Sequence, residues 1–313
     1  HGFSLRSHIF ANIARISRWG SALAPLSNWL GGSRPNRWLL DALFGIDRRR
    51  KLPAFARETF SRWFAGRAYK TEGNRGRVVL FNDTFVEYSE PAIGMAATII
   101  LERAGYEVVL VAEKVCCGRP LISKGFLDRA REMARQNVEA LAPYAAEGVP
   151  IVGLEPSCIS ALCDDYRDLL DDPRAAAVAE RALLLEDFLA DEARAGRLDL
   201  EFTATARHIL VHGHCHQKAL AGTAATLAVL NLPPNFQVEE IASGCCGMAG
   251  SFGYEKEHYE VSRLVGQERL FAALEQAPPD AEIAAVGTSC RHQIADFTGL
   301  RARHWAEILV EAL

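Results

Sequence analysis

Hydrophobic residues along the chain follow two different spacings, and the change between them falls near residue 76. In the first part, apolar residues recur at helical intervals, as at Ile9, Ile13 and Ile16, which is typical of amphipathic helices. From Arg77 onward, short runs of Val, Ile and Leu alternate with longer amphipathic segments. This alternation indicates parallel βαβ units. The pattern therefore predicts a helical docking extension over residues 1–76, closed by a polar linker at 70–76, and then an α/β region.

The α/β region predicts the same order of elements twice. In the first copy, strands are predicted over 78–81, 107–111 and 150–154, and helices over 91–105 and 125–141. In the second copy, strands are predicted over 208–211, 237–241 and 282–286, and helices over 217–230 and 255–274. A long helix over 174–196 is predicted to connect the copies.

Two copies of this size indicate two lobes related by an approximate two-fold axis rather than a solenoid. We therefore predict an α/β fold class with two pseudo-symmetric lobes, each built on a parallel sheet. The first lobe is predicted over residues 77–200 and the second over 201–313.

The cysteines repeat with the same period as the predicted elements. Each copy has Cys-Cys-Gly after its second strand and a single cysteine roughly forty residues later; these are Cys116, Cys117 and Cys158, then Cys245, Cys246 and Cys290. Every motif follows a strand end, where ligands gather in open parallel sheets. Adjacent cysteines do not easily form a disulfide with each other, and glycines let the backbone fold closely around an inorganic group. The pattern predicts a metal or cluster site.

The second copy offers a fourth thiol, Cys215, after its first strand. Cys215, Cys245, Cys246 and Cys290 together match the ligand count of one [4Fe–4S] cluster. A tetrahedral zinc site is the alternative, because four cysteines, or three with a histidine, also bind zinc. His212, His214, His216 and His292 lie next to the cysteines and are candidates for that role. Zinc ribbons use close cysteine pairs, so ligands this far apart favour the cluster.

The first copy is incomplete. Asn82-Asp83-Thr84 stands where the second copy has its first cysteine. We therefore expect either a degenerate site at Cys116, Cys117 and Cys158, or thiols that join the second lobe's site or face a substrate. Cys163, one helical turn further on, is interpreted as a packed thiol.

Composition and charge exclude several classes of protein. The chain has 313 residues, of which 49% are hydrophobic and 24% charged, as in ordinary globular proteins. No apolar run reaches the roughly 20 residues that span a bilayer, and no signal peptide opens the chain, so we expect a cytoplasmic address with reduced thiols. The chain starts at His1 rather than Met, and a larger protein is an open possibility.

The charge is unevenly distributed. Residues 1–77 contain 15 Lys and Arg against four Asp and Glu, and four of the five tryptophans lie there, at Trp19, Trp29, Trp38 and Trp63. Exposed aromatic and arginine surface marks interfaces. We therefore expect this segment to dock on another protein domain rather than on nucleic acid, with peripheral membrane association as a weaker alternative. Residues 48–51 are interpreted as a solvated or partner-facing basic run.

The cysteine pattern resembles the cysteine-rich CCG domain family, found in the B subunit of heterodisulfide reductase, the iron–sulfur subunit of glycolate oxidase and lactate utilisation protein A. The family pattern is a cysteine, Cys-Cys-Gly and Cys-x-x-Cys, usually present twice. Here the last cysteine of each closing pair is replaced, by Ala161 and Gln293. A cluster that needs five cysteine ligands is therefore not expected, and a four-ligand cluster is.

The resemblance extends to residues 116–125, 212–220 and 247–258, which are similar to the C-terminal iron–sulfur part of FAD-linked D-2-hydroxy acid dehydrogenases and oxidases. It implies that a hydride passes from a D-2-hydroxy acid (D-2-hydroxyglutarate, D-lactate or glycolate class) to FAD, and that electrons then pass through clusters to an acceptor. No dinucleotide fingerprint or C-x-x-C-x-x-C run is present, so FAD and a ferredoxin-like domain are expected in cis or in another chain. A zinc-bound structural module of a redox complex is the alternative.

The polar residues beside the cysteines have two interpretations. They either tune a cluster or bind a carboxylate, or they are only local hydrogen-bond partners; they are Arg119, Lys124, His214, His216, Lys218 and Glu255.

Overall fold

The first sheet forms because short Val, Leu and Ile runs are buried on both faces, as parallel strands require. The computed structural model describes residues 2–67 and 73–313, so residues 70–72 of the predicted linker lie outside the described part. The first α/β unit contains β1 (Arg77–Phe81), α6 (Thr84–Tyr88), α7 (Pro91–Arg103), β2 (Glu107–Val109), α8 (Arg119–Ser123), α9 (Leu127–Ala146), β3 (Ile151–Gly153), α10 (Pro156–Ser160), α11 (Tyr166–Leu169), α12 (Pro173–Arg181), β4 (Ala182–Leu184) and α13 (Leu185–Arg194).

The second unit repeats this plan. It contains β5 (Arg207–His212), α14 (Cys215–Leu220), α15 (Ala224–Leu230), β6 (Phe236–Glu240), α16 (Tyr259–Gly266), α17 (Ala272–Glu275), β7 (Glu282–Ala285), α18 (Thr288–Thr298), β8 (Ala302–Arg303) and α19 (Trp305–Val310). The sheet orders are β2-β1-β3-β4 and β6-β5-β7-β8, and every pair of neighbouring strands is parallel. The predicted α/β class and the duplicated parallel sheets are confirmed.

Two predicted helices are wrong as single elements. The helix predicted over 174–196 is interrupted by β4, which adds the fourth strand to the first sheet. The helix predicted over 217–230 is two helices, separated by Gly222 at φ +79°, a backbone conformation that favours glycine and ends helices. The predicted pattern also omitted β8 and α19.

The two sheets share one apolar layer. Helices α7 and α13 of the first unit pack against α19 and α15 of the second. Val152 and Ile100 of the first unit belong to the same buried cluster as Val211 and Trp305 of the second. We keep the boundary near residue 200 as a proposal; the chain between α13 and β5 contains no helix or strand.

Residues 2–66 contain five helices and contact both units. The helices are α1 (Leu5–Ala11), α2 (Ile13–Ala22), α3 (Leu26–Gly32), α4 (Arg34–Phe44) and α5 (Phe60–Gly66). On the first unit, Phe3 stacks on Phe126 with ring centroids 4.0 Å apart. On the second, Arg6 pairs with Glu255 at 3.2 Å.

Part of this segment stays uncovered. The side chains of Trp19, Trp29 and Trp38 are 67%, 69% and 59% exposed. Large apolar groups exposed together mark an interaction surface. Among the described residues, no helix has both the length and the apolar character needed to cross a bilayer.

The basic run at 48–51, predicted to be solvated or partner-facing, contains one buried residue. Arg50 is 1% exposed. Its guanidinium donates to the Gly253 carbonyl oxygen at 2.6 Å, to Gln293 Oε1 at 2.8 Å and to Ser262 Oγ at 2.7 Å. Burial is tolerated because these acceptors satisfy the guanidinium. Arg50 therefore fixes the N-terminal segment to the loop that follows Cys246.

Candidate metal centre

The four thiols of the second unit meet at the carboxyl edge of its sheet. Cys215 is the first residue of α14, directly after β5, and Cys245 and Cys246 follow β6. Cys290 lies in the first turn of α18, after β7. Parallel strands end at one edge of the sheet, so three separate loops deliver these side chains to one place. None of the four is in a disulfide.

These thiols form a connected series. Cys215 hydrogen-bonds to Cys245, Cys245 to Cys246, and Cys246 to Cys290. Donation from Cys215 and from Cys246 lowers the pKa of Cys245 well below its usual range, and the Gly247 N–H adds a bond of 3.3 Å to its Sγ. Contact with Cys246 likewise lowers the pKa of the buried Cys290.

The pKa values of the other two thiols, Cys215 and Cys246, are raised. The thiol contact with Cys245 raises the pKa of Cys215, and contacts with Cys245 and Cys290 raise that of Cys246. Four thiolates this close repel one another unless a cation lies between them. Thiolates are the form that binds metal, so a set that already holds two low-pKa thiols fits a cationic metal or cluster.

His212 adds a nitrogen to this set. It is the last residue of β5 and is fully buried. Its ring nitrogen and the Sγ atoms of Cys246 and Cys290 all lie within 4.8 Å of one another. The zinc interpretation named four histidines; of these, His212 is the one in this group of donors within the described residues.

The loop after Cys246 is shaped by backbone that only small residues adopt. Gly247 has φ +92°, and a Cβ there would stand 2.2 Å from the Ser262 carbonyl oxygen. Gly253 N–H donates to the Met248 carbonyl oxygen at 2.8 Å and closes the turn. A left-handed glycine next to a cysteine lets the main chain curl around the thiols. Residues 247–253 therefore form a tight loop directly after Cys246, and its role as a cradle for a metal group stays a prediction.

Gln293 stands where the family pattern has its last cysteine, and it is not free to bind metal. Its Oε1 accepts from Arg50, and its Nε2 donates to the Ser262 carbonyl oxygen at 3.1 Å. The residue is fully buried. It supports the cradle from behind, together with Arg50.

The first unit has the same layout with Thr84 in the fourth position. Phe81 pairs with Gly153 in the first sheet, as His212 pairs with Ala285 in the second. Thr84 follows Phe81 by three residues, and Cys215 follows His212 by three; each begins a helix. The sequence located the substitution only to residues 82–84. Counting from the strand end identifies the residue.

The three thiols of the first unit lie together but are not predisposed to ionise. Cys117 Sγ lies 3.0 Å from Cys158 Sγ. The Cys116 thiol is hydrogen-bonded to Cys117 and to Thr84. Hydrogen bonding to Cys117 and burial raise the pKa of Cys116. Cys117 lowers the pKa of Cys158, but burial and two carboxylates raise it to about 11 overall. The pKa values of all three thiols in the first set are thus raised, whereas two thiols of the second set have lowered values.

Sequence reasoning assigned no role to two charged residues beside these thiols. Asp83 caps α6, accepting from Phe85 N–H at 2.7 Å through Oδ1, and burial with the nearby Glu155 raises its pKa to about 6. Burial lowers the pKa of Lys114, whose ammonium group lies near Asp83 and donates to the Asn82 carbonyl oxygen. Nothing in the local composition indicated a role for either residue. Only their position at the edge of the strands, beside the thiols, does so.

Cys163 lies outside both cysteine sets. Its thiol donates a hydrogen bond to the Ala182 carbonyl oxygen at 3.1 Å, as expected of a packed thiol.

Polar contacts join the segments that carry the two cysteine groups. Glu155, which follows β3, accepts from the Thr288 N–H at 2.9 Å and so caps the helix that carries Cys290. His216 Nδ1 lies 2.9 Å from Ser160 Oγ. These contacts hold the carboxyl edges of the two sheets against each other.

The other flanking polar residues have local partners. Arg119 pairs with Asp165, and Lys124 with Glu255. Lys218 donates to the Ser243 carbonyl oxygen at 2.7 Å, and His214 caps α14. The interpretation as hydrogen-bond partners therefore accounts for these side chains.

Comparisons with known proteins give a consistent result. The family profile described as "CCG: Cysteine-rich domain" matches residues 81–162. The C subunit of anaerobic glycerol-3-phosphate dehydrogenase from Escherichia coli K12 is 31% identical over 311 residues, which is 99% of this chain and 78% of that protein. D-2-hydroxyglutarate dehydrogenase of the same strain is 28% identical over 239 residues, 75% of this chain but 22% of that protein.

A third relative, lactate utilization protein A of Bacillus thuringiensis, is 26% identical over 208 residues, which is 64% of this chain and 82% of that protein. The resemblance inferred from the cysteine motifs is therefore confirmed at the level of the family. The chain belongs to the cysteine-rich CCG domain family, together with the C subunit of anaerobic glycerol-3-phosphate dehydrogenase.

Proposed function

We propose that this chain is the iron–sulfur electron-transfer component of a FAD-linked dehydrogenase. The observation that carries the proposal is the meeting of Cys215, Cys245, Cys246 and Cys290 beside a glycine cradle, in a chain whose relatives include dehydrogenase components. Four thiolates are the ligand set of a [4Fe–4S] cluster, and such a cluster accepts and releases single electrons.

The chain's own residues have distinct tasks in this proposal. The four cysteines hold the cluster. The Gly247 N–H, which donates to Cys245 Sγ, adjusts the charge on that ligand, because hydrogen bonds to cluster sulfurs set the reduction potential. Burial of Cys246 and Cys290 keeps water from the inner side of the group. Reduced thiols of this kind also fit the proposed cytoplasmic location.

Zinc is the alternative metal, in a structural or interaction module. The ligand atoms of His212, Cys246 and Cys290 lie close enough together for one ion, and zinc accepts mixed sulfur and nitrogen ligands. The cluster is preferred because four cysteines, contributed from the ends of three strands that lie far apart in sequence, match its ligand count, whereas zinc ribbons use close cysteine pairs.

Two substrate classes remain for the complete dehydrogenase. The cysteine motifs suggested a D-2-hydroxy acid, and D-2-hydroxyglutarate dehydrogenase is among the relatives. A relative that aligns with 99% of this chain is named for glycerol 3-phosphate, and that substrate is the second candidate. The hydride acceptor in either case is FAD held by another domain or another chain.

The uncovered tryptophans are the proposed contact with that flavin-bearing partner. Trp19, Trp29 and Trp38 are exposed on a segment with an excess of basic residues, a composition enriched at protein interfaces. In D-2-hydroxyglutarate dehydrogenase the matched region is 22% of the protein, so a similar region exists joined to a much larger chain.

The deciding experiment is anaerobic purification followed by iron, acid-labile sulfide and zinc analysis. We expect about four iron and four sulfide per chain. A Cys245→Ser variant should lose most of this iron, whereas the control Cys163→Ser should keep it, since Cys163 lies outside both cysteine sets. Stoichiometric zinc without sulfide would overturn the electron-transfer function.

A further inference from the structure

One carboxylate of the first unit reaches two helices, one in each unit, that carry a closing cysteine. Glu155 follows β3 and is 5% exposed. Its Oε1 accepts from the Ser157 hydroxyl at 2.9 Å and from the Ser157 N–H at 3.4 Å, at the start of α10. Its Oε2 accepts from the Thr288 N–H at 2.9 Å, at the start of α18. Cys158 directly follows Ser157, and Cys290 follows Thr288 by two residues, so one side chain is tied to both cysteine segments.

The two units do not exchange this contact symmetrically. Glu155 and Gly287 are equivalent, because each is the N-cap residue three positions before its closing cysteine. Gly287 has no side chain that could cap α18, and a Cβ there would stand 2.3 Å from the His214 ring. The first N–H groups of a helix have no partner within the helix. The first unit therefore supplies an acceptor that the N-cap residue of the second unit lacks.

The Glu155 contact fixes the turn that holds a proposed ligand. Thr288 and Cys290 are 6% and 1% exposed, so water has little access to this helix start. A buried N–H that loses its acceptor is costly, and the first turn of α18 would shift to find another. Metal ligands are held in place by hydrogen bonds from residues behind them. Glu155 has that position relative to Cys290.

The charge of Glu155 is not cancelled by a paired Lys or Arg. In the described part of the chain, the one basic nitrogen paired with it within 4.0 Å is His214 Nε2. Glu90, the other carboxylate at this helix start, is instead paired with Arg291 at 2.7 Å. Helix N–H dipoles stabilise a carboxylate at this position. Glu155 therefore places a negative charge beside the helix that carries Cys290.

We propose that Glu155 is a positioning residue of the metal centre, which fixes the helix that delivers Cys290 and lowers the reduction potential of the centre. The inference rests on the function proposed above and deepens it, because it makes the centre of the second unit dependent on the first. A negative charge held near a cluster opposes the addition of an electron. The first copy, with three thiols of its own, thus contributes a side chain to the set of four.

Two substitutions separate the charge of Glu155 from its reach. Glu155→Gln keeps the length of the side chain and removes the charge. Glu155→Asp keeps the charge and a good N-cap residue for α10, but it is one methylene shorter and does not reach Thr288. Glu192→Gln is the matched control, because Glu192 is another buried carboxylate of the first unit, 7% exposed, whose partners are Tyr106 and Arg197.

The reduction potential and the rate of iron release are measured on the anaerobically purified whole chain. Potentiometric titration followed by electron paramagnetic resonance gives the potential, a ferrous chelator gives the rate, and iron and sulfide are determined on every sample. We expect a higher potential in Glu155→Gln and a potential near that of wild type in Glu155→Asp. Both variants should release iron about fivefold faster, the size of effect expected from a lost helix cap.

An iron-loaded Glu155→Gln with the wild-type potential, or Glu155→Asp with the wild-type rate of iron release, would overturn the proposal and leave the proposed function intact. The same changes in Glu192→Gln would also overturn it, because they would show a general effect of removing a buried carboxylate. Absence of iron and sulfide from wild type would overturn both proposals. If Glu155→Gln does not fold, the rate of iron release from Glu155→Asp decides.

Discussion

At the scale of single residues, the two cysteine sets differ at one position. Thr84 and Cys215 begin equivalent helices at equivalent distances from paired strands. The threonine hydroxyl bonds to Cys116 but does not ionise at neutral pH, so it supplies no anionic ligand. The first set thus has three thiols where the second has four.

We predict that Thr84→Cys creates a second four-cysteine set. Iron content should rise from about four to as many as about eight atoms per chain, since four thiolates complete a cluster site. The measurement is iron and sulfide analysis after anaerobic reconstitution. Thr84→Ser is the control and should keep the wild-type content. Equal iron in Thr84→Cys and Thr84→Ser would contradict the positional equivalence.

At the scale of elements, the cradle over residues 247–253 depends on both its backbone and the side chains behind it. Gly247 is left-handed and touches the backbone of α16. Arg50 and Gln293 hold the same helix through hydrogen bonds to the Ser262 hydroxyl. The cradle is therefore a loop whose conformation is set by close approach to neighbouring elements.

We predict that Gly247→Ala disrupts this loop. The Cβ would stand 2.2 Å from the Ser262 carbonyl oxygen at a backbone φ of +92°, so we expect a loss of about 2 kcal/mol or more in free energy of unfolding. Iron binding should weaken with it. Gly244→Ala is the matched control, because its Cβ meets nothing within 4 Å, and its stability should change by about 0.5 kcal/mol or less. Urea unfolding and iron analysis of both variants check this; similar losses in the two would contradict it.

At the scale of the whole molecule, the units are joined by a shared core and by buried polar contacts. Glu186 of the first unit accepts from Gln217 Nε2 at 2.9 Å and from Trp305 Nε1 at 3.2 Å, both in the second. Burial raises the pKa of this carboxyl to about 8. The Glu186 carboxyl therefore takes up a proton when the chain folds at neutral pH.

We predict a stability change with pH that depends on Glu186. The folded chain keeps this proton up to about pH 8, while the unfolded chain releases it near its ordinary pKa of about 4.3. The contribution of protonated Glu186 to the free energy of unfolding is complete below the pKa of the unfolded chain. It is lost as the pH rises through the pKa of the folded chain. The free energy of unfolding should fall by at most about 1.4 kcal/mol per pH unit across that range.

Urea unfolding of metal-free protein from pH 5 to pH 9 measures the effect. Glu186→Gln removes the ionisation, so the pH slope should flatten whatever the absolute stability of the variant. The exposed Glu180→Gln serves as control and should keep the wild-type slope. An unchanged slope in Glu186→Gln would show that this carboxyl is already ionised in the folded protein.

The sequence alone determined the class of fold and the candidate residues of the proposed centre. Hydrophobic spacing repeats twice and predicted two parallel sheets, because strand burial is a local property of Val, Ile and Leu runs. The offsets of Cys215, Cys245, Cys246 and Cys290 from the strand ends placed them at one edge. The same pattern missed β4, since Ala182–Leu184 is flanked by helical sequence on both sides, and pairing with β3 overrides the local preference.

The tertiary structure decided what no local pattern encodes. It singled out Thr84, because equivalence depends on where each strand stops pairing. It buried Arg50, whose acceptors are more than 200 positions away in sequence. It also brought a ring nitrogen of the buried His212 within 4.8 Å of the Sγ atoms of Cys246 and Cys290. Each of these depends on contacts between segments far apart in sequence, which only the packed chain brings together.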